Sequence, residues 1–446
     1  MKPVYQLLLL GVLLSSCKKF LTETPNNALP VGQTITDLGT ARAAILGAYD
    51  GVQSYYTGSN AGYVTLGVMP ADNVIFNGTL SQYLQLDQNA IPADNVTTVA
   101  TYQNIYKAIN AANTVIAYVP AVSDPLLTAA EKSSILGEAY FIRALGYFDL
   151  GRGWGGVQLQ LAPTTTLDKL KGVKRSSLAD TYKQVQADLT IAEGLLPEDA
   201  TTRNRAQKSA ARALHARLDL YRGNWDSAEI YASKVIANTK YTLVKPYASF
   251  FASPFLSAES VFELTFSAND KNNYWNLWYP SSGGGQYTLK PSASIVTRLN
   301  DPLVGGSRKA LIAGSGASVY GVLYNTSATS TDPSYVIRIA ELYLIRAEAR
   351  ARLGRLTDAL ADLNAVRARA DVGPSAAVSS AEVLQAIEDD NSVEFAFEAH
   401  RWFDLVRTGR AAAVLGLTNS NAWLFPLPLS DVLSDPDLDG KNNPGY

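Results

Sequence analysis

Apolar residues recur every three or four positions along most of the chain after about residue 36. The first such stripe contains Leu38, Ala41 and Ile45, and Asp37 before it is a suitable helix cap, which predicts a helix that ends at Tyr56. The same periodicity predicts further helices over 99–119, 128–152, 176–196, 207–238 and 335–370. This pattern indicates a mainly α fold.

The predicted helices have the pattern of tetratricopeptide hairpins. Small residues such as Ala213 and Ala347 stand where paired helices cross, and Gly223 and Gly354 provide the turns. We therefore expect divergent hairpins that together form an α-solenoid scaffold. They are predicted near 100–156, 176–238 and 335–370.

The stretch 241–334 differs from the helical segments. It contains three consecutive glycines at 283–285, several prolines and short β-like runs such as the one at 260–266. Loop-rich insertions on one face of a solenoid commonly carry binding residues. The sequence predicts that this insertion contains a few short β-strands and forms the ligand face of a body that spans 36–446.

The first residues of the chain have the order of a secretory signal. A positive charge is followed by an apolar run that ends at Leu14, and two serines precede Cys17, which is the only cysteine. The run is shorter than the ~20 residues of a membrane span. This order resembles the lipobox of bacterial lipoproteins, and it predicts a signal peptide at 1–16, lipid attachment at Cys17 and a tether at 17–35. A buried N-terminal helix and a free thiol behind a cleavage site are the alternatives.

Composition and charge narrow the classes of partner and chemistry. The net charge of −2, without a basic tract, disfavours nucleic acid as a partner. A single cysteine cannot form an internal disulfide, and the two histidines, His215 and His400, are interpreted as packing or hydrogen-bonding residues. We expect no cofactor and no metal.

One acidic stretch resembles the start of a calcium-binding loop. It contains Asp435, Asp437 and Asp439, but its twelfth position is Tyr446 instead of the glutamate that such a loop needs. The sequence therefore predicts a solvated acidic turn.

An aromatic and amide-rich stretch at 272–280 is the main candidate for a binding site. Aromatic rings stack on the apolar C–H face of a sugar, and asparagine amides pair with its hydroxyl groups. The candidate ligand-binding residues are Asn273, Tyr274, Trp275, Asn276, Trp278 and Tyr279. The alternative is that Trp275 and Trp278 fill the core beneath the loop.

The charged stretch 393–407 is interpreted as structural. Its apolar residues predict one helix, in which Glu398 lies one turn from Glu394 and three residues from Arg401. A catalytic acid–base pair would need two carboxylates that converge in a cleft with different pKa values. Here nearby arginines would neutralise the carboxylates, which predicts a salt-bridged helix.

Several blocks of sequence resemble the signatures of one family. Residues 338–343 read Arg-Ile-Ala-Glu-Leu-Tyr, and residues 393–404 read Val-Glu-Phe-Ala-Phe-Glu-Ala-His-Arg-Trp-Phe-Asp. The other blocks lie at 20–25, 137–156, 363–369, 425–428 and 442–446. In this order, over nearly the whole chain, they resemble the SusD/RagB family of outer-membrane nutrient-binding lipoproteins.

This resemblance implies a function, partners and further site residues. Members of the family are helical lipoproteins that cap a SusC-like TonB-dependent transporter and deliver oligosaccharides or other nutrients to it. The resemblance implies a non-enzymatic protein that is lipid-anchored in the outer membrane and faces the cell exterior. The family's ligand face also draws on the segment near 71–73, which adds Asp72, Asn73, Asn77 and Tyr83 as binding candidates.

Two other functions stay open at the level of sequence. A glycan-active hydrolase would need a pair of carboxylates in the aromatic cleft, and Asp270 and Asp301 are the nearest acids. A scaffold protein would instead bind peptides in a groove between the tetratricopeptide-like helices.

Overall fold

The computed structural model describes residues 34–58, 62–166, 172–198, 202–438 and 440–446. The predicted signal peptide, Cys17 and nearly all of the predicted tether lie outside the described residues, as does Asp439. Their assignments therefore stay predictions. In the described part of the chain, no helix combines the length and the apolarity that crossing a membrane would require.

The described chain is mainly helical. Its first eight α-helices are α1 Leu38–Tyr56, α2 Gly62–Val68, α3 Ser81–Asp87, α4 Val96–Tyr118, α5 Ala129–Trp154, α6 Leu178–Leu195, α7 Lys208–Arg222 and α8 Trp225–Ile236. The next eight are α9 Trp275–Trp278, α10 Ala293–Asn300, α11 Ile339–Arg352, α12 Leu356–Arg369, α13 Ser380–Glu394, α14 Arg401–Arg407, α15 Ala411–Leu415 and α16 Leu429–Ser434.

The long helices pack in a row as a solenoid. Helix α1 packs on α4, α4 on α5, α5 on α6, α6 on α7 and α7 on α8, and α8 then packs on α11, which contacts both α12 and α13. Small residues line the closest crossings, and Ala213 and Ala347 are both buried. The prediction of tetratricopeptide-like hairpins on an α-solenoid scaffold is confirmed.

Local sequence sets where these helices begin and end. At the start of α1, Asp37 and Thr40 form a reciprocal capping box, in which each side chain accepts the backbone N–H of the other residue. The turn after α7 is made by Gly223 at φ 71°, and the turn after α11 includes Gly354 at φ 79°. Glycine takes this left-handed conformation without steric cost, so both predicted hairpin turns form.

The strands form short antiparallel pairs between distant segments. Strand β1 (Val74–Phe76) pairs with β3 (Leu289–Pro291), β2 (Ser260–Leu264) with β6 (Ser334–Arg338), and β4 (Ile312–Ala313) with β5 (Tyr320–Gly321). The short strands predicted for the insertion are confirmed. The β1–β3 pair also joins the insertion to a segment about two hundred residues earlier in the chain.

Two helix boundaries predicted from sequence are wrong. Residues 335–338 belong to strand β6, because this segment is buried between the helices and satisfies its backbone by pairing with β2. The charged stretch is not one helix either: α13 ends at Glu394, a turn follows, and α14 begins at Arg401. The turn lets the charged side chains reach partners on other elements.

A network of buried ions occupies the junction between the solenoid and the insertion. Arg338 binds three carboxylates, at 2.6 Å to Glu259, 2.9 Å to Glu394 and 2.7 Å to Glu398. Arg369 also binds Glu259 and Glu394. The three arginines and three glutamates of this central ion network are Arg308, Arg338, Arg369, Glu259, Glu394 and Glu398. All six are at most 4% exposed.

Glu394 is the carboxylate that all three arginines share. Burial alone would raise its pKa, but Arg369, Arg308 and Arg338 hold the pKa of Glu394 down at about 2. The structural interpretation of Glu394 and Glu398 therefore agrees with their surroundings, although their partners lie on distant elements. Arg401, three residues after Glu398, binds Asp72, whereas Glu398 binds Arg338.

We expect Glu394→Gln to lower the free energy of unfolding by at least about 3 kcal/mol, because it leaves buried guanidinium groups without their shared anion. Urea unfolding followed by circular dichroism measures the loss. The matched control is Lys245→Ala, which breaks an exposed ion pair with Asp371 and should cost less than about 1 kcal/mol. Equal losses in the two variants would contradict a central role for the network.

Glu263 on β2 is a buried acid that forms no ion pair among the described residues. One of its oxygens accepts the N–H of Leu256 at 2.9 Å, and the other has no partner among the described residues. Burial raises the pKa of Glu263 to about 7, compared with an ordinary value of 4.5. The folded protein therefore binds this proton more tightly than the unfolded chain, and stability falls as the pH rises through this window.

We expect Glu263→Gln to be more stable than the native protein above pH 7 and nearly equal to it below pH 4.5. The gain should reach up to ~3 kcal/mol, because each unit of pKa shift corresponds to about 1.4 kcal/mol. Urea unfolding over a pH series measures it, with the surface variant Asp358→Asn as the control. A gain that does not depend on pH would contradict this account.

Candidate functional site

The predicted aromatic stretch contains a short helix that is hydrogen-bonded to a neighbouring loop. Asn272 donates to the Asp332 carbonyl at 2.8 Å, and the carboxylate of Asp332 accepts the N–H groups of residues 325 and 326. The indole N–H of Trp275 donates to the Ser330 hydroxyl at 2.9 Å. These bonds hold helix α9 against residues 325–332, so the orientation of its side chains is fixed.

Trp275 and Tyr279 remain half-buried at the surface of the insertion. Their rings meet edge to face at 5.6 Å, and Tyr279 also packs against Tyr320 at 4.9 Å. The Tyr287 hydroxyl donates to the Val319 carbonyl at 2.7 Å. Because Val319 directly precedes Tyr320, this bond ties Tyr287 to the same part of the insertion. We call Trp275, Tyr279, Tyr287 and Tyr320 the aromatic platform.

The glycine turn predicted at 283–285 shapes the edge of this platform. A Cβ atom on Gly285 would lie 2.1 Å from the carbonyl oxygen of Tyr279, so no larger residue fits there without a backbone shift. Gly284 has φ 82°, which glycine adopts readily. The turn therefore passes close to Tyr279 and leaves part of its ring exposed.

Two of the predicted aromatic residues lie in the core. Trp278 is 1% exposed and packs on Phe397 at 4.8 Å, and Tyr274 is 2% exposed and shares a hydrogen bond with Thr65 at 2.8 Å. A Cβ atom on Gly321 would lie 2.7 Å from the indole of Trp278, so the ring fills all the space there. Buried rings offer no face to a ligand, which corrects the prediction for these two residues. For Trp278, the alternative interpretation, in which the ring fills the core beneath the loop, is the one that agrees with the structure.

Amide side chains surround the platform. Asn273 is exposed, and the side-chain oxygen of Asn276 is buried without a partner among the described residues. Asn77 follows strand β1, is exposed, and donates to the Tyr287 carbonyl at 2.8 Å. The β1–β3 pair thus brings one residue of the 72–83 segment to the aromatic platform.

The other three candidates of that segment have structural partners. Asp72 binds Arg401 through both oxygens at 2.6 and 2.9 Å, and this arginine holds the pKa of Asp72 below its usual range although burial opposes it. Asn73 is buried and donates to the Ser392 carbonyl at 2.8 Å. Tyr83 is buried beside Phe76. The structure therefore does not bring these three side chains to the platform.

Sequence reasoning missed Tyr287 and Tyr320. Each is a single tyrosine in a loop-rich region, and the only available signal was its position near a glycine turn or a short strand.

Burial, and to a smaller extent the neighbouring Tyr320, raises the pKa of Tyr279 to about 12. Its hydroxyl is therefore protonated at neutral pH and can both donate and accept a hydrogen bond.

The acids considered for catalysis lie in different surroundings. Asp270 accepts a hydrogen bond from Gln53 of α1 at 3.1 Å, whereas Asp301 follows α10 and accepts the N–H of Leu303 at 2.8 Å. Within the described ranges, no hydrogen bond or ion pair links either acid to a platform residue. Each acid therefore has its described hydrogen-bond partner outside the platform.

The described residues also contain no group of three or more His, Cys, Asp or Glu placed to hold a metal ion. His215 stacks on Tyr231 at 4.4 Å and His400 on Phe395 at 4.3 Å. Asp435 accepts the N–H of residue 437, as in a hydrogen-bonded turn.

Two family models match the chain. One, described as the SusD family, matches residues 317–421, and the other, described as "Starch-binding associating with outer membrane", matches residues 19–220. A SusD-like protein P38 of Formosa agariphila is 23% identical and aligns over 97% of this chain and 96% of its own length. A SusD-like protein of Bacteroides ovatus is 24% identical over 68% of this chain and 64% of its own length.

Solved structures share the fold. A laminarin-binding SusD-like protein superposes with a TM-score of 0.80 at 22% identity, over 92% of this chain and 100% of its own. Surface glycan-binding protein A from Bacteroides fluxus gives a TM-score of 0.77 at 21% identity, also over 92% of this chain and 100% of its own.

An α-solenoid of helical hairpins, with a loop-rich insertion that presents an aromatic platform, defines the protein as a SusD-like helical scaffold. The two family models and the relatives that align along nearly the whole chain agree with this fold. The chain matches SusD-type family models over residues 19–220 and 317–421 and is SusD-like along nearly its whole length.

The different burial of the two tryptophans predicts different effects on stability. We expect Trp278→Ala to lower the free energy of unfolding by about 3–5 kcal/mol, because it leaves a cavity beside Phe397. Trp275→Ala should cost less than half of that value, because its ring is only half-buried. Urea unfolding measures both losses, and a larger loss for Trp275→Ala would contradict the assignment of Trp278 to the core.

Proposed function

We propose that this protein binds glycans on the aromatic platform and does not turn them over. The observation that carries the proposal is the half-buried group of four aromatic rings on the insertion. Exposed aromatic area of this kind is unfavourable in water unless a ligand covers it. A sugar ring suits such a surface because its C–H face is apolar while its edge carries hydroxyl groups.

The polar groups around the platform support the same ligand class. Asn77 and Asn273 offer exposed amides, and Tyr279 offers a neutral hydroxyl, so each can donate to or accept from a sugar hydroxyl. The Lys290 ammonium lies 5.8 Å from the centre of the Tyr287 ring. Two proteins of similar structure, a laminarin-binding SusD-like protein and a surface glycan-binding protein, support a glycan as the ligand.

The absence of turnover is proposed from how the carboxylates are used. Glu259, Glu394 and Glu398 are committed to buried arginines, and Asp72 is committed to Arg401. Asp270 accepts a hydrogen bond from Gln53 and Asp301 accepts one from Leu303, and neither is hydrogen-bonded to a platform residue in the described part of the chain. The relatives are named SusD-like proteins, which supports binding instead of hydrolysis.

The proposal extends to location and partner. The lipobox-like order before Cys17 supports a lipid anchor, and one matching family model is described as associating with the outer membrane. We infer a lipoprotein tethered through residues 17–35 that faces the cell exterior. It would deliver its ligand to a SusC-like TonB-dependent transporter, and the transport itself would belong to that partner.

The test is calorimetric titration with laminarin and starch oligosaccharides. We expect the Trp275→Ala/Tyr279→Ala double variant to weaken binding about 5- to 150-fold, as expected when two stacking rings worth about 1–3 kcal/mol together are lost. The matched control is Trp225→Ala, which removes a half-buried tryptophan that contacts Arg352 on the solenoid. Both proteins are first checked for an unchanged circular dichroism spectrum.

Three outcomes would contradict the proposal. Equal binding by the double variant and the control would remove the platform from the site. Shortened oligosaccharides after incubation would indicate a hydrolase. Binding of peptides by the native protein, unaffected by the double variant, would favour the tetratricopeptide scaffold.

A further inference from the structure

A groove on the solenoid lies apart from the aromatic platform. Its volume is about 440 Å³, and it is bounded by helix α4, by the segment 158–164 and by helix α16 together with Asp435. The four platform residues lie within 275–320, so the groove and the platform share no side chain. A volume of this size is within the range of small-molecule sites in proteins, about 300–1,000 Å³.

Hydrogen bonds hold the walls of the groove in place. The Asn110 side chain of α4 accepts the N–H of Thr164 at 2.8 Å, and the Tyr106 hydroxyl donates to the Gln158 carbonyl at 2.8 Å. The third wall is attached by Gln158, whose amide donates to Asp435 at 2.9 Å. The groove is therefore preformed, and a ligand would lose little free energy in ordering it.

Two tyrosines form an aromatic wall of the groove. The rings of Tyr102 and Tyr106 lie 5.1 Å apart, and Tyr102 is supported from below by the edge of Trp154 at 5.4 Å. Tyr102 is buried, whereas Tyr106 is half-buried and remains partly accessible from the groove.

The groove also contains polar groups that the fold does not use. Among the described residues, the Gln160 amide, the Asn110 side-chain nitrogen and the Ser434 hydroxyl have no hydrogen-bond partner. Gln103 lies within hydrogen-bonding reach of the Asp431 carboxylate, which also accepts the Ser430 hydroxyl at 3.0 Å. Hydroxyl-rich ligands need this mixture of amide donors and carboxylate acceptors.

The charges of the groove limit the class of ligand. Among the described residues that line the groove, Asp431 and Asp435 are negative and Lys107, which already donates to Asn104 at 3.0 Å, is positive. Anionic ligands such as phosphates or uronic acids are disfavoured by this balance. A neutral ligand with many hydroxyl groups fits the donors, the acceptors and the aromatic wall together.

We propose that this groove is a second binding site for a short neutral saccharide. The proposal does not require the platform to bind. If both places engage one polysaccharide, the second contact becomes intramolecular and raises the overall affinity without a new interface.

The test uses the full-length protein in detergent with maltose, cellobiose and laminaribiose at millimolar concentration, observed by saturation-transfer NMR. The background is Trp275→Ala/Tyr279→Ala, which removes the platform. In this background we expect saturation of at least one disaccharide. The added change Gln160→Ala should raise its Kd about three- to tenfold, because one hydrogen bond is lost.

Ser434→Trp tests whether the signal comes from the groove. Ser434 is exposed, so the indole fills the groove without disturbing the core, and the saturation signal should disappear. The matched control is Lys183→Trp, at an exposed position of α6 outside the groove. Melting curves confirm that both variants are folded.

The outcomes separate this site from the platform. No saturation of any of the three sugars in the platform-deficient background, or a signal that persists in Ser434→Trp, would overturn the second site. A signal in the native protein that vanishes in the background would support the platform and overturn the groove. A saturation signal that is equal in the native protein and in the platform-deficient background, and that is lost when Ser434→Trp is added, would support the groove and contradict the platform.

Discussion

The fold depends on the central ion network, because a buried charge is tolerated only when it is paired and hydrogen-bonded. Arg338 lies at the boundary of β6 and α11, Arg369 at the end of α12, and Glu394 at the end of α13. Removing any one of them would leave an uncompensated ion in the core, which costs far more than an exposed ion pair contributes. The network therefore fixes how the insertion sits on the solenoid.

The aromatic platform is connected to this network through packing. The Arg338 guanidinium lies 4.5 Å from the centre of the Phe395 ring, and Phe397, two residues further along the same turn, packs on Trp278 at 4.8 Å. Trp278 is the last residue of helix α9, which carries Trp275 at its start. The break between α13 and α14 thus has two consequences, because it lets Glu398 reach Arg338 and places Phe397 beneath the helix that carries Trp275.

The molecule uses its charged and its aromatic residues in different ways. Carboxylates and arginines serve mainly to join elements, as Asp72 and Arg401 do between the segment before β1 and helix α14. Half-exposed aromatic rings and amides are left at two places, the platform and the groove beside α4. Such surfaces suit reversible binding of neutral, hydroxylated ligands, since stacking and neutral hydrogen bonds are individually weak and add up over several contacts.

The sequence by itself determined the helices, their caps and their hairpin pairing, because those depend on residues within a few positions of one another. The capping box at Asp37 and the turn at Gly223 are examples. It also identified the region of the candidate site and the correct class of partner for Glu394.

Only the tertiary structure decided which aromatic rings face outward. Trp275 and Trp278 are three residues apart in similar sequence, yet Phe397 and Gly321 enclose one of them and leave the other at the surface. Tyr320 and Asn77 join the site from distant segments through strand pairing and ring contacts. Periodicity carries no information about such contacts, because burial of a side chain is set by neighbours that are distant in the chain.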